Sequence, residues 1–259
     1  MLDGQSHGMM SNTAKPRIVA IIQARMASTR LPGKALLDLG GKPILQHVVE
    51  RVRMSKQVAE VVVATTDHHP DDAIASLCQG LEVSCYRGEE DDVLKRFLGA
   101  VEQTRADVVV RITADCPLID PDVVDRVIRA YETTGVEYAS NGIHRSWPRG
   151  FDVEVFRAET LRRADKLATR PYEREHVTAA IYMAPTVFRC TNVEAPHEAY
   201  APDFRVCIDT KEDLEVVRRI LSSTKDPASL RAADVVAFLR ENPRVLALNR
   251  NVRQKGLGD

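Results

Sequence analysis

The chain has 259 residues, 44% of them apolar, and a formal net charge of -1. It can therefore bury the core of one large α/β domain, and it presents no global field to draw in nucleic acid or an anionic membrane. No apolar run approaches the ~18 residues that a membrane span needs. Its five cysteines, odd in number and without Cys-x-x-Cys spacing, read as reduced thiols of a cytoplasmic protein.

Residues 1–16 lack the apolar centre of a signal peptide and are expected to form a disordered leader to a single domain over 17–259. The first predicted strand, Ile18 to Ile22, breaks into a loop carrying Arg25, Arg30 and Lys34 among the small residues Ala24, Ala27, Ser28 and Thr29. Backbone N–H groups can approach an anion closely at such residues, and three cations can neutralise a triphosphate. The bland alternative is a Pro32-Gly33 turn with solvated side chains. The spacing is neither that of a P-loop nor that of a dinucleotide fingerprint.

Helices are predicted to begin near Pro43, Pro70, Asp91 and Pro121, with the three prolines suited to an opening helical turn and Val48, Val49 and Val52 facing the sheet. They alternate with strands at Val61 to Thr65, Glu82 to Tyr86, Asp107 to Ile112 and Glu137 to Ser140. This rhythm predicts a mostly parallel, mixed sheet with helices on both faces, in three layers. Such sheets bind ligands at the carboxyl ends of their strands, which puts Thr65-Thr66-Asp67 and Thr113 to Leu118 near the first loop.

The rhythm changes at Asn141. Trp147-Pro148-Arg149-Gly150 breaks the chain, and Phe151 to Phe156 alternates apolar with acidic residues as a half-exposed strand does. Residues 141–160 are expected to form an excursion over the site or a dimer arm. Strands at Thr186 to Val193 and Phe204 to Ile208 follow, then helices from Glu212 to Leu221 and from Pro227 to Arg240.

Two aspartates end apolar strands in this scheme, Asp115 and Asp209. Each reads either as a turn or cap residue or as a metal ligand, since Mg²⁺ takes one or two carboxylates plus waters and phosphate oxygens. Asp120, directly before Pro121, reads as a helix cap. Arg87 is a candidate to hydrogen-bond a base or phosphate, and His176 is either structural or part of the site, on an amphipathic helix.

The loop Arg25 to Lys34, with Asp115-Cys116-Pro117-Leu118, resembles the cytidylyltransferases that activate acidic sugars. Tyr86 to Leu94, Gly150 to Glu154 and Glu173 to Thr178 extend the likeness over roughly Ile18 to Ile220, nearest to the spore coat polysaccharide biosynthesis protein F branch. The resemblance implies a nucleotide-diphospho-sugar transferase-like fold and an enzyme that couples CTP to a keto-sugar acid, releasing pyrophosphate for glycan or polysaccharide synthesis. It implies Mg²⁺ on Asp115 and Asp209, with Lys34, Arg30 and Asp115 catalytic. Substrate binding falls to Gln23, Ala24, Arg25, Ser28, Arg87, Arg149, Glu154, Glu175 and His176, in a homodimer with no nucleic-acid or membrane partner. Two other readings are a glycosyltransferase, which usually carries Asp-x-Asp where this chain has Asp115-Cys116-Pro117, and a silent nucleotide-sugar-binding subunit.

Overall fold

The computed structural model describes residues 15–256, so the predicted leader lies, apart from Lys15 and Pro16, outside the described residues. Strand β1 (Ile18–Gln23) buries all but its last residue, and pairs in parallel with β2 (Glu60–Thr66) and β4 (Val108–Thr113). β3 (Ser84–Gly88) continues the parallel run beyond β2. On the other side, β6 (Glu154–Arg157) lies antiparallel between β4 and β5 (Tyr138–Ser140), and β7 (Cys190–Asn192) closes the edge beside β5. The order is β3-β2-β1-β4-β6-β5-β7, a mostly parallel mixed sheet as expected.

Period-two alternation along β1 divides the core. Ile18, Ala20 and Ile22 face α1 (Ile44–Val52), α2 (Asp72–Gly80), α4 (Pro121–Thr134), α8 (Lys211–Ser222) and α9 (Ala232–Glu241). Val19 and Ile21 face α3 (Val93–Thr104), α5 (Ala158–Leu167) and α7 (Ala179–Tyr182). The short α6 (Pro171–Glu175) and α10 (Pro243–Leu246) complete the helices of the three layers.

Asp92 and Asp120 cap α3 and α4 by accepting the backbone N–H groups of Lys95 and Asp122. Pro43 stands at the N-cap of α1 rather than in its first turn.

Five further expectations are corrected. The strand expected over Thr186 to Val193 is confined to Cys190–Asn192. Glu82 has a positive φ of 49°, so the third strand starts later, at Ser84. The segment Phe151 to Phe156 is not a half-exposed strand: only its end joins the sheet, in an interior position, and its acid Glu154 is turned onto Arg111. Phe204 to Ile208 forms no strand, only a single bridge between Arg149 and Arg205. The helix expected from Pro227 is a 3-10 turn (Pro227–Ser229) followed by α9, because Arg51 takes the carbonyls of Pro227 and Leu230 and draws the chain inward between the two.

Candidate active site

The cationic loop leaves β1 at its carboxyl end. Ala24 still donates to the Ala64 carbonyl, after which Ser28 and Gly33 both donate to the Met26 carbonyl and fold the loop back on itself. Gly33 makes this turn at φ +68°, a left-handed conformation that costs glycine little. Buried Leu31 and Ala35 anchor the far side. Asp71, 3% exposed, ties the loop to the end of β2: it accepts from the Met26 N–H at 2.7 Å and from the Thr65 and Thr66 hydroxyls at 2.9 and 2.6 Å. Thr65 and Thr66 thus lie beside the loop as predicted, whereas the role of Asp71 was not foreseen.

Between the loop and the strand ends lies a cavity of about 290 Å³, into which Arg25, Arg30 and Lys34 converge with Gln23, Ala24 and Ser28. The Lys34 ammonium bridges two carboxylates, 2.9 Å from Asp115 and 2.8 Å from Asp209. Backbone geometry brings those acids together: Asp115 lies just beyond β4, and its carbonyl accepts the Ile208 N–H, so the buried run Val206 to Ile208 crosses the strand ends without pairing as a strand. Asp209 consequently precedes α8 across the Thr210 cap, rather than ending a sheet strand.

Each carboxylate is further held. The Thr113 hydroxyl donates to Asp115 at 2.6 Å, while Arg205 and Arg30 reach Asp209 at 2.5 and 2.9 Å. Burial works against the charge of Lys34, but the attraction of Asp115 and Asp209 outweighs it and holds the ammonium pKa above its ordinary value. Burial likewise opposes ionisation of Asp115, yet the charge of Lys34 and the Thr113 hydroxyl bring its carboxyl down to about 2. Lys34 and Asp115 are therefore both charged at neutral pH.

A second cavity of about 450 Å³ opens beside the first. Gln23, Thr113, Asp115, His176 and Asp209 line both, so the aspartates stand on the seam between them. Arg111 fixes the floor of the second cavity, donating to the Gln23 side chain at 2.8 Å and pairing with Glu154. Glu154 also accepts from Tyr138 at 3.0 Å and from the Thr178 hydroxyl. Residues of the 141–160 segment form the wall, with Arg145 bound to Asp152 at 2.6 Å.

Arg149 lines the same cavity, and among the described residues its guanidinium makes no ion pair. Burial, together with the nearby charge of Arg145, lowers its pKa. Gly150 permits this arrangement: at φ +117° it lets the chain pass so close to the Val206-Cys207 backbone that a Cβ would lie 2.7 Å from the Cys207 nitrogen. His176 stands at the C-cap of α6 rather than within a longer helix. Burial lowers its pKa, the charge of Glu175 opposing and that of Arg111 adding to the effect, so the ring is neutral at neutral pH.

Nearly all the predicted site residues thus meet in two adjoining cavities. Glu175 is at the rim, 3.7 Å from Arg25. Arg87 is not brought in: it donates to the carbonyls of Thr66 and His68 and pairs with Asp72 at 2.6 Å, tying down the loop after β2. In its place α3 contributes Arg96, which lines the first cavity at 2% exposure.

Sequence reasoning missed Arg96, Arg205, Arg111 and Arg145. Only Arg111 left a signal, as a charge inside an otherwise apolar strand. A larger groove of about 1200 Å³ lies at the opposite, amino ends of β1 and β4, with as many acidic as basic side chains in its walls, the wrong end of a parallel sheet for its ligand.

The donor set suits a hard divalent cation. The two carboxylates converge on the Lys34 ammonium, with Arg30 and Arg205 also on Asp209, while among the described residues no group of three or more His, Cys, Asp or Glu could hold an ion alone. Mg²⁺ characteristically takes one or two carboxylates and completes its shell with water and substrate phosphates, so Asp115 and Asp209 fit it in the presence of a nucleotide.

The family model described as cytidylyltransferase matches residues 19–242. The chain is 36% identical to the spore coat polysaccharide biosynthesis protein SpsF of Bacillus subtilis over 87% of its own length and 95% of that protein's. It is 42% identical to a 3-deoxy-manno-octulosonate cytidylyltransferase of Geobacter sulfurreducens, over 43% of this chain and 44% of the relative. Among solved structures, a cytidylyltransferase from Leptospira borgpetersenii superimposes with a TM-score of 0.84 at 32% identity, covering 93% of this chain and all of that one.

Proposed function

The chain belongs to the cytidylyltransferase family, and from that premise we propose that it couples CTP to an acidic keto-sugar, with Mg²⁺ as cofactor, to give a CMP-sugar and pyrophosphate. The observation that carries this reading is the pair of adjoining cavities with Asp115 and Asp209 on their seam. In the first, Arg25, Arg30 and Lys34 receive the triphosphate; the second, walled by residues 142–152, receives the acceptor.

Arg149 supports an acidic acceptor. A half-buried guanidinium that makes no ion pair among the described residues, with Asp152 as its nearby negative charge, leaves room for a ligand carboxylate, which supplies a planar, bidentate match. Arg145, already bound to Asp152, adds positive charge beside it.

In the reaction an acceptor hydroxyl oxygen attacks the α-phosphorus. The new O–P bond forms as the bond to the β-phosphate oxygen breaks, the hydroxyl proton passes to solvent, and pyrophosphate departs. Bound at Asp115 and Asp209, Mg²⁺ would supply charge neutralisation at the α-phosphate. Lys34 and Arg30 act where charge develops on the leaving group, which is where an electrostatic donor accelerates the chemistry most. Glu154, pinned by Arg111, Tyr138 and Thr178, orients acceptor hydroxyls, and neutral His176 stands at the seam between the two substrates.

The test is pyrophosphate release from each nucleoside triphosphate with Mg²⁺ and a panel of keto-sugar acids. Release with CTP and one or more acids is expected. Release that is independent of the acid, or none with CTP across the panel, refutes the proposal.

A further inference from the structure

The match to the family model stops at residue 242, yet the chain beyond it returns to the site. Asn249, 4% exposed, anchors the return: its amide donates to the Arg205 carbonyl at 3.0 Å and to Asp213 at 2.8 Å. The next residues reach the first cavity. The Arg253 carbonyl accepts from Arg30 at 3.3 Å, and the Gln254 side-chain oxygen accepts from Arg205 at 2.7 Å. Lys255 then lines the cavity together with Arg25, Arg30 and Lys34.

These contacts bear on groups that the proposed chemistry uses. Arg205 holds Asp209 through one nitrogen and Asp213 through another, so Gln254 completes the set of acceptors around its guanidinium. Arg30 is shared between Asp209 and the Arg253 carbonyl. Lys255 is exposed and makes no ion pair among the described residues, whereas Lys34 and Arg30 pair with the aspartates, Arg25 faces Glu90 and Glu175, and Arg96 donates to the Glu89 carbonyl. A triphosphate bound there brings more negative charge than a nucleoside monophosphate, in the cavity that this strap reaches.

We propose that segment 250–256 is part of the nucleotide site, with Lys255 binding the β- and γ-phosphates of the nucleoside triphosphate and Gln254 positioning Arg205 behind Asp209. The proposal rests on the CTP reading above. Lys255 is a phosphate-binding residue, and the strap discriminates the triphosphate substrate from the monophosphate.

The test is calorimetric titration of the full chain, of Lys255→Gln, and of a chain lacking residues 253–259, with CTP, CMP and inorganic pyrophosphate in turn, each with Mg²⁺ and without acceptor. A charge-assisted contact to phosphate is worth enough to change affinity about tenfold, its solvent exposure keeping the effect at the low end. Lys255→Gln is expected to weaken CTP and pyrophosphate by about that factor and to leave CMP unchanged. The shortened chain retains Asn249 and is expected to weaken CTP at least as much. Should it unfold, the point variant carries the test alone.

Equal or tighter CTP binding by Lys255→Gln overturns the proposal, as does a loss that is the same for CMP as for CTP, since that marks a structural effect. If the unaltered chain binds no CTP, the nucleotide reading itself falls, an outcome visible before any variant is made.

Discussion

Lys34, Asp115 and Asp209 are the residues on which the site turns. One ammonium holds two carboxylates within 2.9 Å, and each carboxylate is held a second time by a hydroxyl or a guanidinium. Asp115 was legible as a candidate because it directly follows an apolar strand and precedes Cys116-Pro117, although the same position also suits a turn or cap aspartate. Asp209 was legible as a residue but not in its setting, since the apolar run before it is buried by crossing the strand ends rather than by pairing. Arg87 and Arg96 show the limit: both follow β2 in the chain as exposed-looking arginines, and only the fold decides that the first ties down a loop while the second enters the cavity.

Asp115→Asn is expected to lower kcat by roughly 10²- to 10³-fold, as for loss of a preorganised electrostatic group, with a native circular dichroism spectrum. The same variant carries a pH signature. The Asp115 carboxyl is depressed from 3.8 to about 2, so its contribution to stability is complete above pH 3.8 and is lost as pH falls through about 2. Urea midpoints should therefore show a gap between wild type and variant at pH 6 that narrows as pH drops through that window. A gap independent of pH would show that the depressed acid lies elsewhere.

Among the elements, the alternation of parallel strands and covering helices was readable from apolar periodicity and helix-opening prolines, and the ends of β1 to β5 agreed within about two residues, whereas the strand expected from Thr186 begins only at Cys190. Period-two reasoning failed at Phe151 to Phe156 because it takes an acid to mean solvent, whereas Glu154 finds Arg111, Tyr138 and Thr178 inside the protein. The chain crossing at Gly150 left only the glycine itself as a signal. A side chain there meets the backbone of Val206 and Cys207.

That crossing links the acceptor wall to the run leading into Asp209, with the Arg149 carbonyl accepting from both Val206 and Cys207. Gly150→Ala is expected to cost more than about 1 kcal/mol, read as a lower urea midpoint, and to raise KM for the acceptor more than KM for CTP. An unchanged midpoint would mean that the two segments slide apart freely.

At the scale of the molecule, both cavities sit at the carboxyl ends of β1 and β4 and share their lining at the aspartates, while the larger groove at the opposite ends lacks this arrangement. Fold class and first cavity were open to sequence reasoning because strand, loop and cations are contiguous in the chain. The second cavity was open only in part: the resemblance picked out Gln23, Arg149, Glu154 and His176, but its assembly from β4, β5 and the 142–152 wall depends on the antiparallel insertion of β6. The strap at 250–256 was hidden for the same reason, since Arg30, one of the two arginines that it contacts, lies more than two hundred residues away in the chain.

The central claim is transfer of the cytidylyl group, with its α-phosphate, to an acidic sugar. CTP labelled at the α-phosphate tests it most directly, incubated with Mg²⁺ and the keto-sugar acid panel and followed by anion-exchange separation. The prediction is label in a new species that contains both cytidine and the sugar acid, with one pyrophosphate formed per molecule of product. Label recovered only in CTP or in free CMP, whichever acid is supplied, would contradict it.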